Sequence, residues 1–225
     1  MIAENLNRIH QEIKHYCKQC GRAPDSVHLL AVSKTKPVSL IQEAITAGQR
    51  DFGENYVQEA LEKIQALSAV EGLQWHFIGP IQSNKTKSIA EHFSWVHSVD
   101  RLKIAERLSA QRPKHLPPLN ICLQVNIDEE PTKSGVLLSA LEALVEKVMP
   151  LPNLALKGFM IIPMAHKNEP EQGKSFAKIR ETLEYFHAKY HAIDTLSMGM
   201  SGDFGAAILE GSTWVRLGTR LFGHR

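Results

Sequence analysis

The chain alternates between short apolar runs and longer stretches of helical periodicity. Eight runs rich in apolar or β-branched residues lie at 28–33, 51–54, 75–79, 95–99, 120–126, 156–162, 195–200 and 214–217. Between these runs, apolar residues recur every three or four positions, as on the buried face of an amphipathic helix. This alternation predicts a parallel sheet, because parallel strands need a crossover connection and a helix usually supplies it.

One further helix is predicted ahead of the first strand. Within residues 3–20, Ile9 and Ile13 stand at helical spacing among polar neighbours. Gly21 and Pro24 follow, and both residue types are common where a helix ends. The chain therefore begins with a helix that is not part of the strand–helix repeat.

Eight strand–helix units favour a closed (β/α)₈ barrel, which is the fold class we predict. An open doubly wound sheet has the same local pattern and stays the alternative at this point. No stretch rich in Pro, Gly and Ser divides the chain, so we expect a single domain over residues 1–225. Its parts are an N-terminal helix within 1–24 and a barrel over 28–223.

Polar residues at the predicted helix starts suggest caps. Ser39, with Gln42 three residues later, matches a capping box, and Asp100 can cap the helix that follows it. Asp203 is expected to cap a short helix over 203–210. These assignments rest on local spacing alone.

Composition and charge narrow the class of protein. Of the 225 residues, 43% are hydrophobic and 22% are charged, which is typical of a globular chain. The net charge is +2 and the basic residues are dispersed, so we expect no nucleic-acid partner. No apolar stretch is long enough to cross a bilayer, and the first residues lack the pattern of a secretory signal. We therefore expect no membrane association and a cytoplasmic location.

The cysteines and histidines indicate neither a disulfide scaffold nor a metal site. Cys17 and Cys20 form a C-x-x-C at a helix end, with no second pair elsewhere, and Cys122 lies in a predicted strand. Reduced thiols are the expected state of all three. The histidines show no metal-ligand spacing, and His76, inside the third strand, is expected to be a hydrogen-bonded barrel residue.

Lys34 is the first candidate for chemistry, because it ends the first strand, and active sites of such barrels lie at the carboxyl ends of the strands. A partly buried amine favours its neutral form, which attacks a carbonyl group and gives a Schiff base. The alternative is a lysine whose stem lies on the barrel rim with its ammonium in water. Lys36 is the weaker candidate by strand alternation, although the residues alone do not separate the two.

The last two strands predict an anion site. Ser201 offers a hydroxyl at a strand end before a short helix, and Gly218 and Thr219 follow the eighth strand. Loops after strands seven and eight commonly bind phosphate in this fold, and glycine allows main-chain amides to approach an anion closely. Ordinary turns would also explain glycine and serine here.

A Schiff-base lysine opposite a phosphate site suggests pyridoxal phosphate or a sugar-phosphate aldolase substrate. Arg216 favours the former, because a strand-end cation could face the pyridine nitrogen, whereas an aldolase would need acid–base carboxylates there. Both ligands remain open on the residues alone.

Several segments resemble the YggS/PROSC family, the pyridoxal phosphate homeostasis proteins. The similarity runs in order along essentially the whole chain, and its most specific stretch is WHFIGPIQSNK at 75–85. The other segments are AVSKTKP at 31–37, FGENY at 52–56, KSG at 133–135, GFM at 158–160, SMGMS at 197–201 and VRLGT at 215–219. The resemblance implies a barrel like the alanine racemase N-terminal domain, with pyridoxal 5′-phosphate bound to a lysine.

The same resemblance assigns the site by position. Lys34, not Lys36, matches the Schiff-base lysine, and Arg216 matches the residue facing the pyridine nitrogen. The phosphate ligands and the ring pocket are matched by Ser201, Gly218 and Thr219, and by Asn55 and Met160, respectively.

The resemblance also implies a carrier of the cofactor, not an enzyme with robust turnover. A cationic arginine at the ring nitrogen makes the ring a poorer electron sink. Racemisation needs a second acid–base group, which alanine racemases take from a further β-domain absent from this barrel. We therefore expect a monomer that passes pyridoxal phosphate to dependent apoenzymes. The alternative is a racemase-like enzyme.

Overall fold

All eight apolar runs form strands, and the strands close into a parallel barrel in the order β1 to β8. The computed structural model describes residues 1–164 and 169–223. The strands are β1 (His28–Val32), β2 (Asp51–Glu54), β3 (Gln74–Phe77), β4 (Trp95–Val99), β5 (Leu119–Val125), β6 (Leu154–Ile161), β7 (Thr195–Ser197) and β8 (Trp214–Leu217). Closure comes from the pairing of β8 with β1, which confirms the barrel and excludes the open sheet.

Helices surround the barrel, and all but the first and the last connect consecutive strands. They are α1 (Ile2–Gln19), α2 (Val38–Thr46), α3 (Val57–Ala66), α4 (Thr86–His92), α5 (Leu102–Gln111), α6 (Leu138–Val148), α7 (Glu169–Lys189), α8 (Phe204–Leu209) and α9 (Thr219–Phe222), with a 3₁₀ turn at Ser83–Lys85. Strand side chains point alternately to the helices and to the barrel interior. Both faces are thus covered, which is why the strand sequences are almost continuously apolar.

The N-terminal helix α1 packs against α2, α8 and α9, beside the seam where β8 meets β1. Its apolar stripe, which includes Ile9 and Ile13, is buried. Tyr16 adds an edge-on contact with Phe204, their ring centroids lying 5.8 Å apart. The predicted extra helix is therefore confirmed, and it supports the part of the barrel that carries strands seven, eight and one.

Two predicted helix caps are wrong. Helix α2 begins at Val38 after Pro37, so Ser39 lies inside the helix and caps nothing. Asp100 instead accepts a hydrogen bond from the neighbouring Arg101, which occupies the N-cap position of α5. The spacing fails for Ser39 because the helix begins earlier than predicted, and for Asp100 because its carboxylate pairs with Arg101.

Within the described residues, no helix is long and apolar enough to cross a membrane. The same part of the chain holds no cluster of three or more His, Cys, Asp or Glu side chains that could bind a metal ion. Cys17, Cys20 and Cys122 are free thiols, the first and last of them buried.

Candidate functional site

A cavity of about 360 Å³ opens at the carboxyl ends of the strands. This volume lies in the range of pockets that hold small ligands. Its wall combines residues from β1, β8 and the loops that follow β2, β3, β6 and β7. The lining residues are Val32, Lys34, Asn55, Ile78, Ile162, Met200, Ser201, Gly202, Arg216, Gly218 and Thr219.

Lys34 lines this cavity and Lys36 does not. The separation follows from strand parity, because Lys34 continues the inward series of β1 whereas Lys36 lies beyond a turn. Thr35 forms that turn with a φ of +62°, in the left-handed region that β-branched residues rarely adopt. The ammonium of Lys36 donates a hydrogen bond to the main-chain oxygen of Gly223, at 2.9 Å. Lys36 lines an adjoining cavity together with Lys34, Gly218 and Thr219, and Lys34 is the one of the two lysines that lies in the cavity with Arg216.

Arg216 forms the buried floor of the cavity, with 5% of its surface exposed. Its guanidinium donates hydrogen bonds to Ser197 Oγ at 3.0 Å, to the Ser197 carbonyl at 2.6 Å and to the Ile161 carbonyl at 2.9 Å. Burial lowers the pKa of Arg216 to about 10. The side chain therefore stays cationic at neutral pH and is held in one orientation below the cavity.

Hydroxyl groups and loop amides form the part of the cavity wall that comes from the loop after β7 and the end of β8. Ser201 and Gly202 approach it from the loop after β7, and Gly218 and Thr219 from the end of β8. A Cβ atom at Gly218 would lie 3.1 Å from the Val32 carbonyl oxygen, so glycine lets these strand ends meet closely. This set of donors can bind an anion such as a phosphate group.

Asp203 shapes this loop but does not cap α8 in the predicted way. It occupies the N-cap position, but its carboxylate accepts a hydrogen bond from the Met200 amide, at 2.6 Å, and makes none to the helix. The contact closes the turn over residues 200–203. The predicted cap is wrong, and the residue instead holds the turn that carries Ser201.

Asn55 gives the cavity a polar atom in need of a partner. Its Oδ1 is buried and accepts no hydrogen bond from any described residue. Such an atom is costly to bury unless a ligand or a water donates to it. Gly79 makes room for this loop, since a Cβ there would lie 2.2 Å from the Asn55 carbonyl oxygen.

Met160 does not line the cavity. It is buried on β6, where its register partner on β7 is Ser197. The contact with the cavity comes from Ile162, two residues further along. The sequence does not single out five of the lining residues, which are Val32, Ile78, Ile162, Met200 and Gly202. Strand parity indicates Ile78, which lies two positions after His76.

These residues fit pyridoxal phosphate by their donor set. The cavity offers a primary amine, a buried cation, a cluster of hydroxyls and amides, and the amide oxygen of Asn55 that lacks a donor. An aldehyde, a ring nitrogen, a phosphate and a ring hydroxyl are the matching groups of that cofactor.

Comparison with known proteins agrees with this geometry. The family model of the alanine racemase N-terminal domain matches residues 5–225. A pyridoxal phosphate homeostasis protein of Pseudomonas aeruginosa is 58% identical over 224 residues, covering 100% of this chain and 96% of that protein. The Escherichia coli K12 protein of the same name is 50% identical, with 100% and 97% covered.

A solved structure is also similar to this chain over its whole length. PipY of Synechococcus elongatus, crystallised with PLP bound, is 37% identical, with a TM-score of 0.87 and coverage of 99% of this chain and 100% of that one. Full-length identity at this level shows the family. The chain belongs to the pyridoxal phosphate homeostasis proteins, which share the barrel of the alanine racemase N-terminal domain.

Proposed function

We propose that this protein binds pyridoxal 5′-phosphate reversibly and serves the homeostasis of that cofactor. The observation that carries the proposal is that Lys34, Arg216 and the group around Ser201 and Thr219 line one cavity, although they are far apart in sequence. The names of the relatives and the PLP bound to PipY support it.

Each group of the cofactor has a protein partner in this proposal. When bound, pyridoxal phosphate supplies an aldehyde that condenses with a primary amine, and Lys34 provides that amine. Arg216 faces the ring nitrogen, and Asn55 accepts a hydrogen bond beside the ring. The phosphate is bound by Ser201, Gly218 and Thr219.

The cavity favours a carrier over a racemase. Among its described lining residues, Lys34 and Arg216 are the titratable ones, and no carboxylate, histidine, tyrosine or cysteine lies with them. Two-base racemisation needs a second proton-transfer group opposite the lysine, and a cationic arginine is a poor one. We therefore expect no racemisation of alanine above the level of the Lys34→Ala variant, as measured by chiral chromatography.

The test is covalent trapping. Protein incubated with pyridoxal phosphate and freed of excess is expected to show a visible absorption band, which Lys34→Ala abolishes and Lys36→Ala retains. Borohydride reduction and peptide mass mapping are expected to place the adduct on Lys34. A colourless wild type, or an adduct on Lys36 in its place, would refute the assignment.

Release to dependent apoenzymes is the second part of the proposal. The cavity opens at the barrel rim, which supports exchange of a cofactor with solvent. Its test is the rate at which the loaded protein activates an apoenzyme, compared with free cofactor at the same concentration. The monomeric state and the cytoplasmic location stay predictions from the sequence.

A further inference from the structure

A chain of polar side chains runs through the barrel interior from its amino-terminal end to Arg216. Asp51, the first residue of β2, lies 3.1 Å from Nε2 of His76, measured from Oδ1. His76 Nδ1 lies 3.0 Å from His97 Nε2, and His97 Nδ1 lies 2.7 Å from Ser197 Oγ. Ser197 Oγ then meets the guanidinium of Arg216 at 3.0 Å.

The interior of this chain is sealed from water. His76, His97 and Ser197 have no exposed surface. The ring of Trp95 stacks on His76 with an angle of 3° between the planes, and Trp214 contacts both imidazoles. Asp51 is the end that reaches solvent, with 29% of its side chain exposed.

Asp51 and Arg216, the two ends of this hydrogen-bonded series, allow one arrangement of protons when both imidazoles are neutral. Arg216 can only donate, so Ser197 Oγ accepts from it. At the other end the Asp51 carboxylate only accepts, so His76 carries its proton on Nε2 and leaves Nδ1 free. His97 Nε2–H then donates to that Nδ1, and His97 Nδ1, which has no proton, accepts from the Ser197 hydroxyl. Burial lowers the pKa of both histidines, which favours the neutral forms.

No carboxylate lies within ion-pair distance of Arg216 among the described residues, although the charge of Asp203 partly opposes the effect of burial on the pKa of this arginine. Its hydrogen bonds go to two carbonyls and one hydroxyl. A buried cation without an anion is unfavourable unless dipoles or charges offset it. Hydrogen bonds aligned from Arg216 to Asp51 supply dipoles of the required direction.

We propose that Asp51, His76, His97 and Ser197 are positioning residues that orient Arg216 toward the cofactor ring nitrogen, with the Asp51 carboxylate as the anionic end of this hydrogen-bonded series. The inference rests on the proposed function for the ring contact, but the proton arrangement can be tested without any cofactor. Through these hydrogen bonds, the carboxylate of Asp51 at the amino-terminal end of the barrel would affect how tightly Arg216 binds the ring nitrogen.

The first test is nitrogen NMR of the histidine side chains in the cofactor-free protein. We expect His76 and His97 to be neutral at neutral pH, each with its proton on Nε2. A doubly protonated His76 paired with Asp51, or a proton on Nδ1 of either ring, would overturn the proposed chain. This result does not depend on whether pyridoxal phosphate binds.

The second test measures discrimination at the ring nitrogen. Dissociation constants are compared for pyridoxal phosphate and its 1-deaza analogue, which has a C–H in place of the ring nitrogen. The wild type is expected to prefer pyridoxal phosphate. Ser197→Ala and Asp51→Asn are expected to reduce that preference about three- to tenfold. The ratio cancels any general loss of binding.

Matched controls separate positioning from fold damage. Ser212 is as deeply buried as Ser197 and donates to the main-chain carbonyls of Met198 and Trp214, but it is not hydrogen-bonded to the series from Asp51 to Arg216. Ser212→Ala is therefore expected to keep the ratio of the two dissociation constants. Asp25→Asn, an exposed change in the loop before β1, is expected to keep it as well.

The outcomes distinguish the two proposals. A wild type that binds neither ligand contradicts the proposed function and leaves the NMR result to decide the proton arrangement. A wild type that binds both ligands equally contradicts the role of Arg216 at the ring nitrogen. Ratios in Ser197→Ala and Asp51→Asn that match Ser212→Ala would overturn the positioning role.

Discussion

The ion pair between Lys63 and Glu54 holds the segment that carries Lys34, so removing its cation is an informative perturbation. The Glu54 carboxylate is fully buried; Oε1 accepts from Lys63 at 2.8 Å and from Ser33 at 2.6 Å. Its Oε2 has no partner among the described residues. Lys63 also donates to Glu59 at 2.6 Å and to the Ser33 carbonyl at 2.7 Å.

The expected loss of unfolding free energy in Lys63→Met depends on which partners of Lys63 are left without a hydrogen bond or counter-charge. Glu59 is 28% exposed and can turn to water, and the Ser33 carbonyl keeps a donor in the Lys36 amide, at 3.0 Å. Glu54 has no such alternative, so its carboxylate would be buried without a counter-charge. Breaking a buried pair in this way costs about 3–5 kcal/mol of unfolding free energy.

The loss should depend on pH with a definite sign. Burial raises the pKa of Glu54, and the hydrogen bond and charge of Lys63 oppose that rise. Without Lys63 the folded-state pKa rises further above the unfolded value of about 4.3. A raised carboxyl pKa destabilises the fold as pH rises from the unfolded to the folded value. The deficit of Lys63→Met relative to wild type is therefore expected to be smaller at about pH 5 than at about pH 8.

Urea denaturation followed by circular dichroism measures these free energies. The double variant Lys63→Met/Glu54→Gln is expected to recover at least half of the loss, since the buried charge is gone. Lys87→Met is the control, because the Lys87–Glu91 pair is exposed and 3.8 Å apart, and it should change stability by less than about 0.5 kcal/mol. Equal losses in Lys63→Met and Lys87→Met, or a deficit that grows at low pH, would refute the reasoning.

Two further predictions concern packing and the thiols. A Cβ at Gly158 would lie 1.9 Å from a carbonyl oxygen of β7, so Gly158→Ala is expected to lose about 3 kcal/mol or more in urea denaturation. Gly173→Ala, in α7 with open space around it, should instead gain about 0.5–1 kcal/mol, and equal effects would contradict the packing argument. With a thiol reagent, Cys20 is expected to react first in the folded protein, because burial raises the pKa of Cys17 and Cys122; simultaneous reaction of all three would contradict this.

The strands could be predicted from the sequence because both faces of a parallel barrel strand are buried. Four of the eight runs show how well this works, since 51–54, 95–99 and 214–217 match their strands and 28–33 exceeds β1 by one residue. The run at 195–200 is longer than β7, which ends at Ser197. Apolar composition continues past the strand there, but Gly199 adopts a φ of +96° and turns the chain toward the site.

The site residues could be predicted where position in the fold decides the role. Arg216 lies at an inward position on β8, one residue before its end, and Lys34 lies two residues past the end of β1, so their meeting at the cavity follows from the pairing of β8 with β1. Met160 has an equally inward position but lies too deep, and the cavity wall is formed by Ile162 instead. Whether an inward residue reaches the cavity depends on how the end of its strand is staggered relative to the ends of the neighbouring strands. The sequence of a single strand does not show this stagger.

The buried polar chain shows why partners are harder to predict than positions. Alternation along β2, β3, β4, β7 and β8 places Asp51, His76, His97, Ser197 and Arg216 inside the barrel, and a polar group there must find a partner inside. The sequence therefore predicts that hydrogen bonds form, as expected for His76. Which groups pair depends on the register of strands up to 100 residues apart, as between His97 and Ser197. Barrel closure sets that register, and each neighbouring strand then limits the choice of donor and acceptor until one proton arrangement connects Asp51 to Arg216.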